Sequence, residues 1–274
     1  MNLTKSGMIS IVGRPNVGKS TLTNALVGEK IAIVTNKPQT TRNRICAVVN
    51  REGCQFVFLD TPGLHKARTR LGDYMVKVVK ESVADVDAVL LLVEPIPHIG
   101  GPEAELIRRI KELNVPAVLV INKIDTVEKE ELLSVMQVYG AAHDFAAIVP
   151  ISAKRNEGVD ELLGLLAQFL PEGPQLFPED MVTDQPERQV CAEIIREKLL
   201  LCLDKEIPHG TAVEITTFSE RDDGIIDLDA TIYCEKASHK GIIIGKGGAM
   251  LKKISTLART DIEAFMGTKV FLQT

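Results

Sequence analysis

The sequence predicts a doubly wound, mostly parallel α/β sheet followed by a smaller α+β domain, and three observations carry that prediction. Continuous apolar runs at 8–12, 88–93 and 117–121 read as strands buried on both faces. Stretches of helical periodicity alternate with them, which implies right-handed crossovers between parallel strands. Beyond a proline- and acid-rich stretch the pattern changes: residues 225–233 alternate apolar and polar, the mark of a strand with one wet face.

A chain of 274 residues suits two cores. We expect a first domain over 1–172, a linker over 173–186 and a second domain over 187–274. The composition, 45% hydrophobic and 25% charged, is that of a globular protein, and no apolar run reaches the length of a membrane span. The N-terminus lacks the apolar stretch of a signal peptide, so a cytoplasmic location is expected. Five scattered cysteines form no C-x-x-C, and five histidines form no metal-binding cluster. The cysteines read as reduced packing residues, not a zinc site or a disulfide frame. A net charge of −5 argues against nucleic-acid binding by the whole surface but leaves room for a local basic patch.

The elements follow in order. The strand at 8–12 leads through Gly13–Ser20 into a helix. Two strands at 45–49 and 54–59 are joined by a turn over 50–53. Residues 69–84 show helical periodicity, with Leu71, Met75, Val78, Val79 and Val83 on one side. The buried strand at 88–93 precedes a helix opened by Pro102. The strand at 117–121, a helix near 128–143, a strand near 147–151 and an amphipathic helix containing Val159, Leu162, Leu163, Leu166 and Phe169 complete the domain. In the second domain a helix over 187–203, strands near 212–218 and 225–233, helices near 237–244 and up to Met266, and a strand at 269–272 are expected.

Chemistry concentrates at the carboxyl ends of the first domain's strands, where ligands bind in such sheets. Gly13, Arg14, Pro15, Asn16, Val17, Gly18, Lys19 and Ser20 fit the G-x-x-x-x-G-K-[ST] phosphate loop. Unpaired N–H groups at a helix start attract phosphate, and Thr21 continues that start. Lys19 reaches the terminal phosphates, and the Ser20 hydroxyl can hold Mg2+. Asp60-Thr61-Pro62-Gly63 supplies a carboxylate for the same ion and a glycine N–H for the γ-phosphate. Asn122-Lys123-Ile124-Asp125 is an N-K-x-D motif. The Asp125 carboxylate accepts from both N–H donors on the guanine edge, whereas adenine offers no such pair. Lys123 can lay its stem along the base. Ser152 and Ala153, with Lys154 after them, can offer N–H to the guanine oxygen. GTP or GDP with Mg2+ is therefore expected, and an ATPase would require Asp125 to be irrelevant.

These motifs resemble the translation-factor-related GTPases and, within them, the Era family, over nearly the whole chain. The carrying residues are Gly13–Ser20, Pro38-Gln39-Thr40-Thr41-Arg42, Asp60-Thr61-Pro62-Gly63-Leu64-His65 and Gly245-Lys246-Gly247-Gly248. The resemblance implies that Thr41, rather than Thr40, closes onto Mg2+ and the γ-phosphate, so that Lys19, Thr41 and Gly63 act in hydrolysis. Residues 34–44 and 60–70 would be its two switches. Leu64 stands where Ras-like GTPases carry a water-orienting glutamine, so slow intrinsic hydrolysis is expected. Asn16 matches an asparagine that helps bind K+ in similar GTPases, and it equally suits a loop-capping asparagine.

In the second domain, Gly245-Lys246-Gly247-Gly248 lies between two helices and resembles the G-x-x-G loop of a prokaryotic-type KH domain, which clamps single-stranded RNA. From Lys236 onward seven Lys or Arg face two acidic residues, whereas 187–235 holds five basic and twelve acidic ones. The basic part thus surrounds the loop, and Lys246, Lys252 and Lys253 are its candidate phosphate contacts. Era-family chains continue past the segment matching 270–272, so a truncated last strand is expected here. A monomer without a DNA partner is expected, and the resemblance implies the rest: the protein would bind small-subunit ribosomal RNA, assist small-subunit maturation and touch the membrane loosely. The rival reading is a GTP-regulated protein–protein or membrane-surface module whose KH-like domain binds no RNA.

Overall fold

The computed structural model describes residues 5–37, 39–63, 75, 77, 78 and 86–274. They form two compact units, one from Met1–Ile31 with Thr41–Asp184 and one from Ala32–Thr40 with Gln185–Thr274. Residues 32–40, which the sequence reading places within the first domain, thus pack with the second unit.

In the first unit, β1 (Lys5–Gly13) runs into the phosphate loop and α1 (Lys19–Val27). A hairpin, β2 (Ile45–Arg51) and β3 (Cys54–Asp60), follows. Its two-residue turn holds Glu52 at φ 52° and Gly53 at φ 76°, the left-handed pair that matches strand twist. Next come β4 (Ala88–Val93), α2 (Gly101–Leu113), β5 (Ala117–Ile121), α3 (Lys129–Ala142), β6 (Ala147–Pro150) and α4 (Val159–Leu166). The six strands lie in the order β2-β3-β1-β4-β5-β6. Among them β2 alone is antiparallel to its neighbour, as a hairpin requires and a crossover forbids.

β4 shows why the sheet is double-sided. Every residue of it is buried. Val89, Leu91 and Val93 pack with Leu106, Ile107 and Ile110 of α2 and with Val135 and Tyr139 of α3. Leu90 and Leu92 alternate to the opposite face and are fully buried as well. Each such leucine contributes about 2 kcal/mol of apolar burial. α4 ends at Leu166, so Phe169 lies past its last turn. Of the helix expected over 69–84, Met75, Lys77 and Val78 are the described residues, and they are helical.

The second unit has the element order α5 (Glu187–Cys202), β7 (Thr211–Glu220), β8 (Ile226–Cys234), α6 (Ala237–Ile244), α7 (Ala249–Met266) and β9 (Val270–Gln273). Its sheet runs β7-β8-β9. β8 is antiparallel to β7 and parallel to β9. Ile226, Leu228 and Ala230 point into a core with Ile194, Ile195, Ala258 and Ile262, the alternation read from the sequence. α5 also carries charge into the interior. Lys198 bridges Glu197 and Asp261, and the fully buried Arg196 pairs with Glu193. The same helix holds residues 32–40: Glu197 Oε1 accepts from the Val34 N–H at 2.9 Å, and Arg196 donates to the Thr40 carbonyl.

Candidate active site

The loop between β1 and α1 is shaped by what its atoms must avoid. Gly18 has φ 100°, and a Cβ there would fall 2.2 Å from Asn122 Nδ2. Both conformation and space therefore demand glycine. Val17 is fully buried, so its side chain serves the core and its backbone serves the loop. Lys19 is only 6% exposed. Its ammonium folds back onto the loop carbonyls of Gly13, at 3.3 Å, and Arg14, at 2.8 Å. Burial drives its pKa down to about 8, against the pull of Asp60.

At the foot of the loop, Ser20 Oγ donates to Asp60 Oδ2 at 2.7 Å and lies 2.9 Å from Thr41 Oγ1. Asp60 is fully buried, and burial raises its pKa to about 6 although Lys19 and the Ser20 hydroxyl oppose the rise. Its Oδ1 has no hydrogen-bond partner. A buried, unsatisfied carboxylate oxygen is costly, and a hard divalent cation is what would satisfy it. Ser20, Thr41 and Asp60 are the hard oxygen donors that Mg2+ takes, so the residues fit the ion. Thr61 is turned inward, its hydroxyl donating to the Ile11 carbonyl at 2.8 Å. Its backbone N–H faces the Asp60 carboxylate and opposes the rise in that carboxylate's pKa. Pro62 is buried, and Gly63 lies against the loop, a Cβ there falling 2.5 Å from Pro15 N. Leu64 and the rest of the second switch lie outside the described residues.

The base-side motifs follow β5 and β6. Asn122 is a structural tie: its Nδ2 donates to the Val17 carbonyl at 2.8 Å and its Oδ1 accepts from the Ala153 N–H at 3.0 Å. One side chain thus fixes three loops. Lys123 takes a left-handed φ of 65° and sends its ammonium back to the Asn16 carbonyl at 2.7 Å. Asp125 accepts from Ser152 Oγ at 2.7 Å, and this bond, above all, lowers its pKa. The carboxylate therefore stays ionised with acceptor capacity in reserve. Lys154 is exposed on the turn that Ser152 closes with Glu157. Thr21 is half-buried on the first turn of α1. The residues predicted from the motifs thus converge. Sequence reading missed Glu94 and Glu103, two carboxylates that brace Arg14, because no motif includes them.

In the second unit the loop between α6 and α7 has three glycines, Gly245, Gly247 and Gly248, at φ 74°, 58° and 79°. No side chain caps the 18-residue helix α7 that follows, so its first N–H groups face outward. Lys246, Lys252 and Lys253 are exposed around them. Ile242 and Ile244 beside the loop are exposed too, at 50% and 37%, apolar surface that periodicity alone did not flag.

Fold and site together define a guanine-nucleotide-binding protein of the phosphate-loop class, carrying a second, KH-like unit. A family model described as a 50S ribosome-binding GTPase matches residues 8–123, and a KH-domain model matches 206–274. GTPase Era of Ruminiclostridium cellulolyticum is 53% identical over 269 residues, 98% of this chain and 90% of the relative. GTPase Era of Alkaliphilus metalliredigens is 53% identical over 270 residues, 98% and 92%. The chain belongs to the Era GTPase family. A crystal structure of Era in complex with MgGDPNP and nucleotides 1506–1542 of 16S ribosomal RNA is 38% identical, with a TM-score of 0.93, covering 98% of this chain and 92% of that one. A single-residue variant of Aquifex aeolicus Era bound to GDP·AlF4− matches with the same identity, coverage and TM-score.

Proposed function

We propose that this protein is a slow, GTP-hydrolysing switch that binds small-subunit ribosomal RNA through its second unit and assists maturation of that subunit. The observation that supports this best is the likeness, along 98% of the chain, to an Era structure holding both a GTP analogue and a ribosomal RNA fragment.

In this reading the loop N–H groups from Arg14 to Thr21 bind the phosphates, and Lys19 leaves the Gly13 and Arg14 carbonyls for the β- and γ-oxygens. Ser20, Thr41 and Asp60 would hold Mg2+, and the ion would supply neutralising charge at the phosphates. The Gly63 N–H steadies the γ-phosphate. Lys123 lies along the base, Asp125 reads its two donors, and the Ser152 and Ala153 backbone meets its oxygen. Leu64 can neither orient nor activate water, so positioning falls to backbone, a bound K+ near Asn16, or a partner, and turnover is slow. The two units, 1–31 with 41–184 and 32–40 with 185–274, divide the labour between nucleotide and RNA. We place the monomeric protein in the cytoplasm, with a loose contact at the inner face of the cell membrane. No described helix is long and apolar enough to cross a bilayer.

On the RNA side, the uncapped start of α7 and Lys246, Lys252 and Lys253 clamp the backbone of a single strand. Its affinity for a single-stranded fragment of the small-subunit RNA should fall linearly in log[salt]. Replacing each of the three lysines by alanine should reduce the slope by about 0.7. Absence of binding at low salt would leave the rival reading, a GTP-regulated module for protein or membrane partners.

A further inference from the structure

Glu94 immediately follows β4, between the phosphate loop and the base-binding motif, and touches both. Its Oε1 pairs with Lys123 Nζ at 2.6 Å, and its Oε2 accepts from Arg14 Nη2 at 3.2 Å. Lys123 is held a second time by the Asn16 carbonyl. Arg14 is held a second time by Glu103 of α2, which is 2% exposed and contacts the guanidinium through Oε1. The result is a chain of alternating charge, Lys123–Glu94–Arg14–Glu103, running from the base side of the site to the buried face of α2. The neighbouring phenol of Tyr139 registers it. Its pKa is raised to about 12, by burial first and by the Glu103 charge second.

We propose that Glu94 is a positioning residue for guanine-nucleotide binding, fixing the Lys123 side chain beside the base and coupling it to Arg14 of the phosphate loop. The inference rests on the reading of Lys123 as the lysine along the base. A lysine stem has four rotatable bonds, and it loses less freedom on binding if its ammonium is already anchored. Glu94 and Asn16 supply that anchor from two sides. Glu94 also places one negative charge between two cations, Lys123 and Arg14, and pairs with both. A competing effect exists, because removing an anion near a polyanionic ligand favours binding through the general field. That field is screened over roughly 8 Å at physiological salt, whereas the contact with Lys123 is direct. The positioning effect should therefore dominate.

The test is a double-mutant cycle on the full chain, read as GDP affinity with Mg2+ present and as kcat at saturating GTP. Glu94→Gln should raise the Kd for GDP about tenfold and leave kcat unchanged, and Glu94→Asp, which keeps the charge, should recover part of the loss. In a Lys123→Ala background Glu94→Gln should add little. Glu105→Gln, which removes a surface partner of Arg108 and Arg109 on α2, should change neither quantity. If Lys123→Ala leaves the Kd unaltered, the base-site reading fails. If Lys123→Ala weakens binding but Glu94→Gln does not, or tightens it, or if the two effects simply add, the positioning role is overturned. A fall in kcat with unchanged Kd would overturn it as well.

Discussion

Replacing Asp125 by asparagine is expected to cost GDP about 10⁴-fold in affinity and to transfer the preference to xanthine nucleotides. Guanine presents two N–H donors to this position, and an ionised carboxylate accepts both. Asparagine keeps one acceptor and puts an N–H2 where the second stood, so donor meets donor on a buried edge. Sites built to hydrogen-bond a ligand reject a mismatched one by factors of this size because polar groups are left unpaired. Xanthine carries a carbonyl in place of the guanine amino group and restores the match. The Ser152 hydroxyl bond, which holds the Asp125 pKa low, makes the wild-type preference insensitive to pH near neutrality. Competition between GDP and XDP for both proteins measures the effect. Unchanged selectivity in the variant would remove Asp125 from base recognition.

Lys19→Met is expected to weaken nucleotide binding at least about a hundredfold and also to change how the nucleotide-free protein responds to pH. The wild-type ammonium is buried without a phosphate, and its pKa falls from 10.5 to about 8. Between those values the unfolded chain keeps a proton that the folded chain has released. Stability therefore rises with pH across that window, by about 3 kcal/mol in total. Methionine removes the titrating group and with it that rise. Asp60 works in the acid range with the opposite sign. Its pKa is raised from 3.8 to about 6, so the folded chain holds the extra proton between those values and stability falls as pH climbs through them. Denaturant unfolding of wild type and Lys19→Met from pH 7.5 to 10.5 should show a stability difference that shifts by this amount, and saturating Mg2+·GDP should abolish the wild-type slope. Parallel curves without nucleotide would refute the burial argument.

Much of this was legible in the sequence because phosphate and base chemistry prescribe residue types at fixed spacing. Gly18, Lys19, Ser20, Asp60, Asn122 and Asp125 could be named before their geometry, and the six strands could be placed from apolar runs. Other features depend on contacts between distant segments, which no local period records. Glu94 and Glu103 look like ordinary polar residues until the fold sets Arg14 between them. Residues 32–40 read as a loop of the first domain, yet Arg196 and Glu197 of α5 bind their backbone. Val17, just before α1, and Thr61, just after β3, sit within ligand motifs but turn their side chains into the protein.

If this protein is a switch, the nucleotide in the first unit must govern RNA at the second. Photocrosslinking a single-stranded small-subunit RNA fragment to the full chain, with a GTP analogue or with GDP bound, puts that requirement to the test. Crosslinks are expected on the peptides spanning 245–253, strong with the GTP analogue and reduced with GDP. Equal yields in the two states, or crosslinks that avoid the Gly245–Gly248 loop, would overturn the switch.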